Sequence, residues 1–313
     1  MAIYEPMLIS EIIKEAADAA KFIAESEMAY ENEIKKVANQ IAQNAEQRPF
    51  VLISGPSGSG KTTSAMKLKE KLDKMGFETH VLSLDNYFRP ITDAERPLFN
   101  SHKIDLESPD RMDCDLLNSQ LQDIINGKEV ETPYFDFVTN TRKKSGRHIK
   151  LHKGELIILE GIHSLNPKVI ENSDDFSSKL YVSVRSRIEH SKKGESFLLH
   201  PSKIRLARRI IRDGRTRNRG PSDVVALYDS VELGENRYIM PYKHRSDYDI
   251  DTFIPYELCV YKSHLPSSLP NDEIKHPWLT ELFEVIAELP TISSELVPYE
   301  SLTREFIGNG KYE

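Results

Sequence analysis

Residues 50 to 63 constrain this chain more than any other stretch. An apolar run, Phe50-Val51-Leu52-Ile53, breaks into Ser54-Gly55-Pro56-Ser57-Gly58-Ser59-Gly60 and ends in Lys61-Thr62-Thr63. From Gly55 to Thr62 the spacing fits G-x-x-x-x-G-K-[ST], the phosphate-binding P-loop. Each part suits a phosphate. Glycines let the backbone curl so that successive N–H groups point inward at phosphate oxygens. The helix that follows aims its positive end at the same oxygens. Lys61 adds a point charge, and the Thr62 hydroxyl can bind Mg²⁺. An apolar strand before the loop and a helical stretch, Thr62 to Met75, after it distinguish the motif from an ordinary Gly/Ser turn.

The flanking pattern extends this start into a fold class. Val51 to Ser54 reads as a strand, Gly76 ends the helix, and Glu78 to Leu84 reads as a second strand. Alternating strands and helices predict an α/β fold, a parallel sheet flanked by helices. Ligands in open sheets of this kind sit at the carboxyl ends of the strands. Asp85, at the end of the second strand, is thereby placed beside the phosphates, as a base or a metal neighbour. Glu155-Leu-Ile-Ile-Leu-Glu160-Gly161 reads as a buried strand carrying a carboxylate at its end, a candidate metal acid. His163 follows in a loop and is expected to be structural.

Between these strands, Asp105-Leu106-Glu107-Ser108-Pro109-Asp110 offers carboxylates for sugar hydroxyls. Ser108 or Asp110 equally suits the cap of a helix from Met112 to Asn126. Glu129 to Phe137 and Arg147 to Leu151 predict a β-hairpin flap around a basic turn, Arg142-Lys143-Lys144. Lys179 to Val184 reads as a further strand.

The most basic stretch follows. Lys203, Arg205, Arg208, Arg209, Arg212, Arg215, Arg217 and Arg219 face one acid, Asp213. Four of the arginines recur at helical spacing, and Gly214 reads as a break before the last two. A one-signed stripe is costly by self-repulsion, but over a transferring phosphoryl group it neutralises charge. We therefore expect an Arg-rich helical lid. No aromatics are interleaved with the arginines, which argues against nucleic acid. The net charge of −7 gives no global pull towards it either.

The remaining segments are expected as follows. Residues 7 to 46 read as an added N-terminal helical hairpin with Ser10 as cap, suited to packing on the main domain or on a second subunit, which leaves a homo-oligomer open. Pro221 to Met240 reads as a long helix interrupted at Gly234, Asp249 to Ile254 as the last strand, and Glu257 to Tyr261 and Trp278 to Leu289 as helices. Residues 264 to 274 read as a connector. The expected division is 1–47 (helical extension), 48–265 (kinase-type domain) and 266–313 (C-terminal extension). Cys114 and Cys259 have no metal spacing and read as reduced thiols. Glu5 and Glu11 interrupt any signal-like apolar region, and no run approaches a membrane span, so a cytoplasmic protein without membrane partners is expected.

The ordered set of motifs resembles the uridine kinase branch of the phosphoribulokinase/uridine kinase family. It comprises Gly55 to Thr63, Leu84-Asp-Asn-Tyr-Phe88, Asp105 to Asp110, Pro133-Tyr-Phe-Asp-Phe137, Leu159-Glu-Gly-Ile-His163 and Arg205 to Asp213. Gly234 to Pro241 and Leu302 to Gly308 are similar to a bacterial subgroup labelled uridine or nucleoside kinase. The resemblance implies ATP and Mg²⁺ as cofactors and a small-molecule hydroxyl acceptor, a nucleoside first. It implies that Gly55, Pro56, Ser57, Gly58, Ser59, Gly60, Lys61, Thr62 and Thr63 bind the ATP phosphates. Asp85 would be the base, and Thr62, Asp85 and Glu160 would hold the metal. Lys61, Arg209, Arg212 and Arg217 would assist transfer, and Arg209 and Arg219 would contact substrate. The acceptor wall departs from the family's pattern. Glu107 replaces an Asp that holds the ribose, and Phe135-Asp136-Phe137 with Asn140 replaces Tyr-Asp-Phe and a His. A sugar, sugar phosphate or other alcohol therefore stays open as acceptor. So does a regulator that binds a nucleotide without an acceptor, although sensing alone would not need Asp85.

Overall fold

The computed structural model describes residues 5–101, 104–137, 139–192, 194–217, 219–266 and 277–312. Its centre is a five-stranded sheet in the order Tyr248–Asp251, Ser177–Ser183, Phe50–Ser54, Glu155–Glu160 and Glu78–Ser83. Every pairing in it is parallel. The strand before the P-loop is buried throughout because it serves two cores at once. Val51 and Ile53 join the core on one face, Phe50 and Leu52 that on the other. Leu156 and Ile158 alternate with Ile157 and Leu159 in the same way, the two-residue period of a strand covered on both sides.

The first core holds the P-loop helix (Lys61–Lys74), the arginine helix (Pro201–Thr216) and both terminal segments; the second holds the helix Cys114–Ile125. The N-terminal region contains one long helix, Ala19–Ala42, and not the expected hairpin. Asp18 ends the preceding short helix and 3₁₀ turn by leaving the helical region (φ −117°, ψ 78°) and accepting from Lys21 N–H at 3.2 Å. Ser10 caps nothing: the short helix Ile9–Glu15 starts at Leu8, whose N–H donates to Glu11. Phe22, Ile23, Ile34, Val37 and Ile41 of the long helix are buried in the shared core. Each contributes roughly 1.5–3 kcal/mol relative to exposure.

Other boundaries shift for local reasons. The helix expected from Met112 starts at Cys114, capped by Asp113, while Ser108 caps only the turn Pro109–Arg111. The flap is the antiparallel pair Val130–Asp136 and Thr141–Ile149. Its basic residues lie in the second strand, not in a turn, and Arg142, Lys143 and Lys144 face Asp113, Asp136 and Glu131. The last strand is Tyr248–Asp251; beyond it, Thr252 turns its hydroxyl to the P-loop carbonyl of Ser59 at 2.7 Å. A small sheet not anticipated from sequence joins Met7–Leu8 to the hairpin Ile188–Lys192 and Glu195–Leu199.

Gly214 does not break the arginine helix, which runs on to Thr216. Gly234 lies inside the helix Tyr228–Tyr238, and the interruption falls at Leu227 instead. The helix expected from Trp278 is Pro277–Glu288; most of the connector, residues 267–274, lies outside the described residues. Both cysteines are free, Cys259 buried and Cys114 partly so. Among the described residues no helix is long and apolar enough to cross a membrane.

Candidate active site

The P-loop is held from outside by the arginine helix. Arg208, 0 % exposed, donates to the Gly58 carbonyl at 3.1 Å while its other nitrogens make a bidentate pair with buried Glu257 (2.7 and 3.0 Å). Arg205 donates to the Ser57 carbonyl at 3.1 Å and pairs with Glu235 at 2.7 and 2.9 Å. Their forks take up P-loop carbonyls and no loop N–H group. Arg205 and Arg208 are therefore scaffold, although sequence spacing counts them with the stripe.

Arg209, Arg212 and Arg217 project elsewhere. Arg209 is 5 % exposed, and its Nε has no hydrogen-bond partner. Burial pulls its guanidinium down to about 10, opposed by the neighbouring Glu107 carboxylate. Arg212 donates twice to Asp213 (2.8 and 2.7 Å), and Arg217 lies 3.8 Å from the same buried carboxylate. The Asp213 carbonyl accepts the N–H groups of both Arg217 (3.0 Å) and Arg219 (3.1 Å). The single acid in the basic run thus orders the turn that carries the last arginines.

The strand ends bring the carboxylates in. Glu160, 7 % exposed, terminates its strand next to the P-loop strand, and its register partner across the sheet is Ile53. Burial, then the nearby Asp85 charge, raises its carboxyl; Lys61 and a hydrogen bond from Ser83 oppose this. Lys61 donates to the Pro56 carbonyl at 3.0 Å. Burial lowers its ammonium, and Glu160, Asp85 and Glu305 hold it up. Asp85 also influences Glu107, whose carboxyl is raised by burial against the pull of Arg209 and Lys61. Arg217 lies within electrostatic reach of Asp85, with Arg219 beside it.

An aromatic wall stands beside Asp85. Phe135 is buried and forms a triad with Phe137 (5.0 Å between ring centroids) and Phe88 (6.1 Å), Phe88 lying three residues past Asp85. Phe137 is 50 % exposed, so it is the triad's accessible face. Asn140 occupies the hairpin tip at φ 53°, a left-handed conformation that asparagine adopts readily, so the turn itself accounts for its residue type.

Three features escaped sequence reasoning. Gly234 faces Glu107: a methyl group there would lie 2.4 Å from Glu107 Cβ, so the helix Tyr228–Tyr238 reaches the acidic loop only through a glycine. Tyr238 of the same helix donates to Asp105 at 2.9 Å. His163 is 1 % exposed, and among the described residues neither ring nitrogen has a partner in ordinary hydrogen-bond geometry. Burial pushes it down to about 4, against the Glu107 carbonyl and Asp105. Glu305, from the far C-terminus, accepts from both the N–H and the hydroxyl of Thr63. The sequence marks Gly234 inside a helical pattern, His163 and the stretch Leu302 to Gly308, but not the contacts they make.

Phosphate oxygens and a divalent cation fit these residues. Ser59 Oγ is buried in the loop without a partner, and so is Arg209 Nε beyond it. Exposed Thr62 begins the P-loop helix, with Lys61, Asp85 and Glu160 in mutual electrostatic reach beside it. The fold and this cluster define a P-loop phosphotransferase. The phosphoribulokinase/uridine kinase family model matches residues 50–255, and the chain belongs to that family. A uridine kinase of Ligilactobacillus salivarius is 31 % identical over 65 % of this chain and 85 % of its own. One from Lactobacillus helveticus is 30 % identical over 64 % and 85 %. A solved structure from Silicibacter sp. TM1040, provisionally assigned as a fructose transport system kinase, shares the fold with a TM-score of 0.53 at 16 % identity. It covers 69 % of this chain and 98 % of that one. The activity is phosphoryl transfer to an alcohol group.

Proposed function

We propose that the chain is an ATP-dependent kinase of a nucleoside 5′-hydroxyl. The observation that carries this reading is the position of Asp85. It lies close enough to Lys61 on the donor side and to Glu107 on the acceptor side to shift the protonation of both. A base belongs between a phosphoryl donor and a hydroxyl acceptor. When bound, ATP supplies the phosphoryl group and Mg²⁺ neutralises its charge; Thr62, Asp85 and Glu160 are the oxygen donors suited to the cation.

The chain's own residues do the rest. The loop amides and Lys61 orient the phosphates, and Asp85 takes the hydroxyl proton. Arg209, Arg212 and Arg217 lie over the charge that develops, with Arg219 beside them. Glu107 accepts from sugar hydroxyls, and Phe137 offers a ring for a base. His163, held neutral by burial, supplies one donor and one acceptor beside Glu107. A nucleoside is favoured over a bare sugar because the wall next to Asp85 is aromatic. The names of the two bacterial relatives support the same class.

The test is ADP release measured across nucleosides, pentoses, sugar phosphates and other alcohols. Nucleoside-dependent release is expected. Release only with a sugar or sugar phosphate would transfer the reading to those acceptors, and equal release without any acceptor would sink the kinase assignment.

A further inference from the structure

The C-terminal segment is built into the phosphate seat of the P-loop. Leu302, buried, lies against Gly60: a methyl group on Gly60 would meet Leu302 Cδ1 at 2.5 Å. Gly60 is also left-handed (φ 81°), so two independent constraints demand glycine where the loop meets this segment. Two residues on, the helix Arg304–Ile307 presents Glu305. Its Oε2 accepts from Thr63 Oγ1 at 2.6 Å and from Thr63 N at 3.2 Å. Arg215 fixes the segment from above through the Phe306 carbonyl at 3.1 Å, and Ser301 fixes it from below by donating to Glu27 at 2.6 Å.

Thr63 N–H is one of the free donors in the first turn of the P-loop helix, the group that such a helix offers to an anion. In this structure the anion is a carboxylate of the chain itself. One N–H cannot serve a carboxylate and a phosphate oxygen at full strength, and the two negative charges repel. We propose that Glu305 is a built-in competitor for the donor nucleotide: its carboxylate must turn away from Thr63 before a phosphate oxygen takes that amide. The segment then sets donor affinity without touching the acceptor wall. This rests on the donor reading of the P-loop given above.

The test compares Kd for Mg²⁺–ADP by calorimetry in the wild type, Glu305→Gln and, as control, Glu300→Gln. Glu300 lies on the same segment and pairs only with Lys311 at 3.2 Å among the described contacts. Glu305→Gln keeps the shape and removes the charge. It is expected to tighten ADP binding about tenfold, equivalent to about 1.4 kcal/mol, and Glu300→Gln to leave it unchanged. Hydrogen exchange at 302–307, read in the wild type, is expected to rise when ADP binds. Unchanged or weaker ADP binding in Glu305→Gln, with ordinary melting of the variant, overturns the proposal. If that variant melts early, unchanged or slower exchange in the wild type with ADP bound overturns it instead. No ADP binding by any of the three proteins overturns the donor reading itself.

Discussion

The sides of the site proposed for donor and acceptor are held in different ways. The P-loop is fixed by a redundant cage. Arg205 and Arg208 hold its carbonyls, Glu235 and Glu257 hold those arginines, and Thr252 holds Ser59. Removing one partner of a buried pair such as Arg208–Glu257 typically costs about 3–5 kcal/mol. The wall proposed for the acceptor is held instead by Tyr238 on Asp105 and by the more exposed ion pairs along the flap. Glu107 is seated by the absence of a side chain at Gly234, Phe137 stands half-exposed, and His163 lies buried beside the Glu107 carbonyl. The difference follows from the two tasks. A triphosphate presents the same charges in every reaction and suits a rigid cradle. An acceptor is recognised by its own hydroxyls and ring, and a wall held by exposed contacts can change residue by residue without unfolding the loop.

This contrast can be broken experimentally, beginning where the two sides meet. Asp85→Asn is expected to lower kcat by roughly 10²–10⁴, the usual effect of removing a general base, while ADP affinity measured without Mg²⁺ stays near wild type. A loss under about tenfold, read from initial rates, would remove Asp85 from the chemistry. Gly234→Ala drives a methyl group into Glu107. An overpacking cost of about 1–3 kcal/mol should appear as a ten- to hundredfold rise in acceptor KM, again with ADP binding intact. If donor and acceptor constants moved together, the two sides would not be separable.

His163 sharpens the comparison through pH. Burial holds the folded imidazole neutral down to about 4, whereas the unfolded chain takes its proton near the ordinary value of 6.5. The unfolded state therefore binds more protons in that window, and stability is lost as pH falls from 6.5 towards 4. The loss is on the order of 2–3 kcal/mol. Urea unfolding of wild type and His163→Asn at pH 7 and pH 4.5 should show that this part of the acid sensitivity disappears in the variant. Equal sensitivity in both would mean that the imidazole is charged or solvated in the fold. The smallest effect is expected from Phe135→Tyr with Asn140→His. Histidine, like asparagine, tolerates the left-handed tip, and two added hydrogen bonds at about 1 kcal/mol each should raise uridine kcat/KM by roughly thirtyfold. No rise would show that these two positions do not face the base.

The donor side was legible because its parts are local in sequence. Gly55 to Thr63 is one continuous motif, Glu160 closes an apolar strand, and Asp85 lies in the 3₁₀ turn just past the end of another. Their meeting follows from a parallel sheet. The arginine run was legible as charge but not as function. Spacing cannot separate Arg208, which holds Gly58, from Arg209 next to it, which faces Glu107. The partners that make the distinction, Glu235, Glu257 and Asp213, look like ordinary surface acids in a sequence. Gly214 and Gly234 were read as helix breaks because glycine lowers helix propensity. Gly234 stays helical because the glycine is needed for close packing, which periodicity cannot reveal. Glu305 was hidden by its distance of 242 positions from Thr63.

The central claim is transfer of a phosphoryl group from ATP across Asp85 to a nucleoside hydroxyl. Incubation with γ-³²P-labelled ATP, Mg²⁺ and nucleoside, with the product position read by ³¹P NMR, tests it most directly. The account predicts label in a single 5′-phosphomonoester, with transfer reduced by roughly 10²–10⁴ in Asp85→Asn. Label appearing only as inorganic phosphate, at the same rate with and without nucleoside, would contradict it.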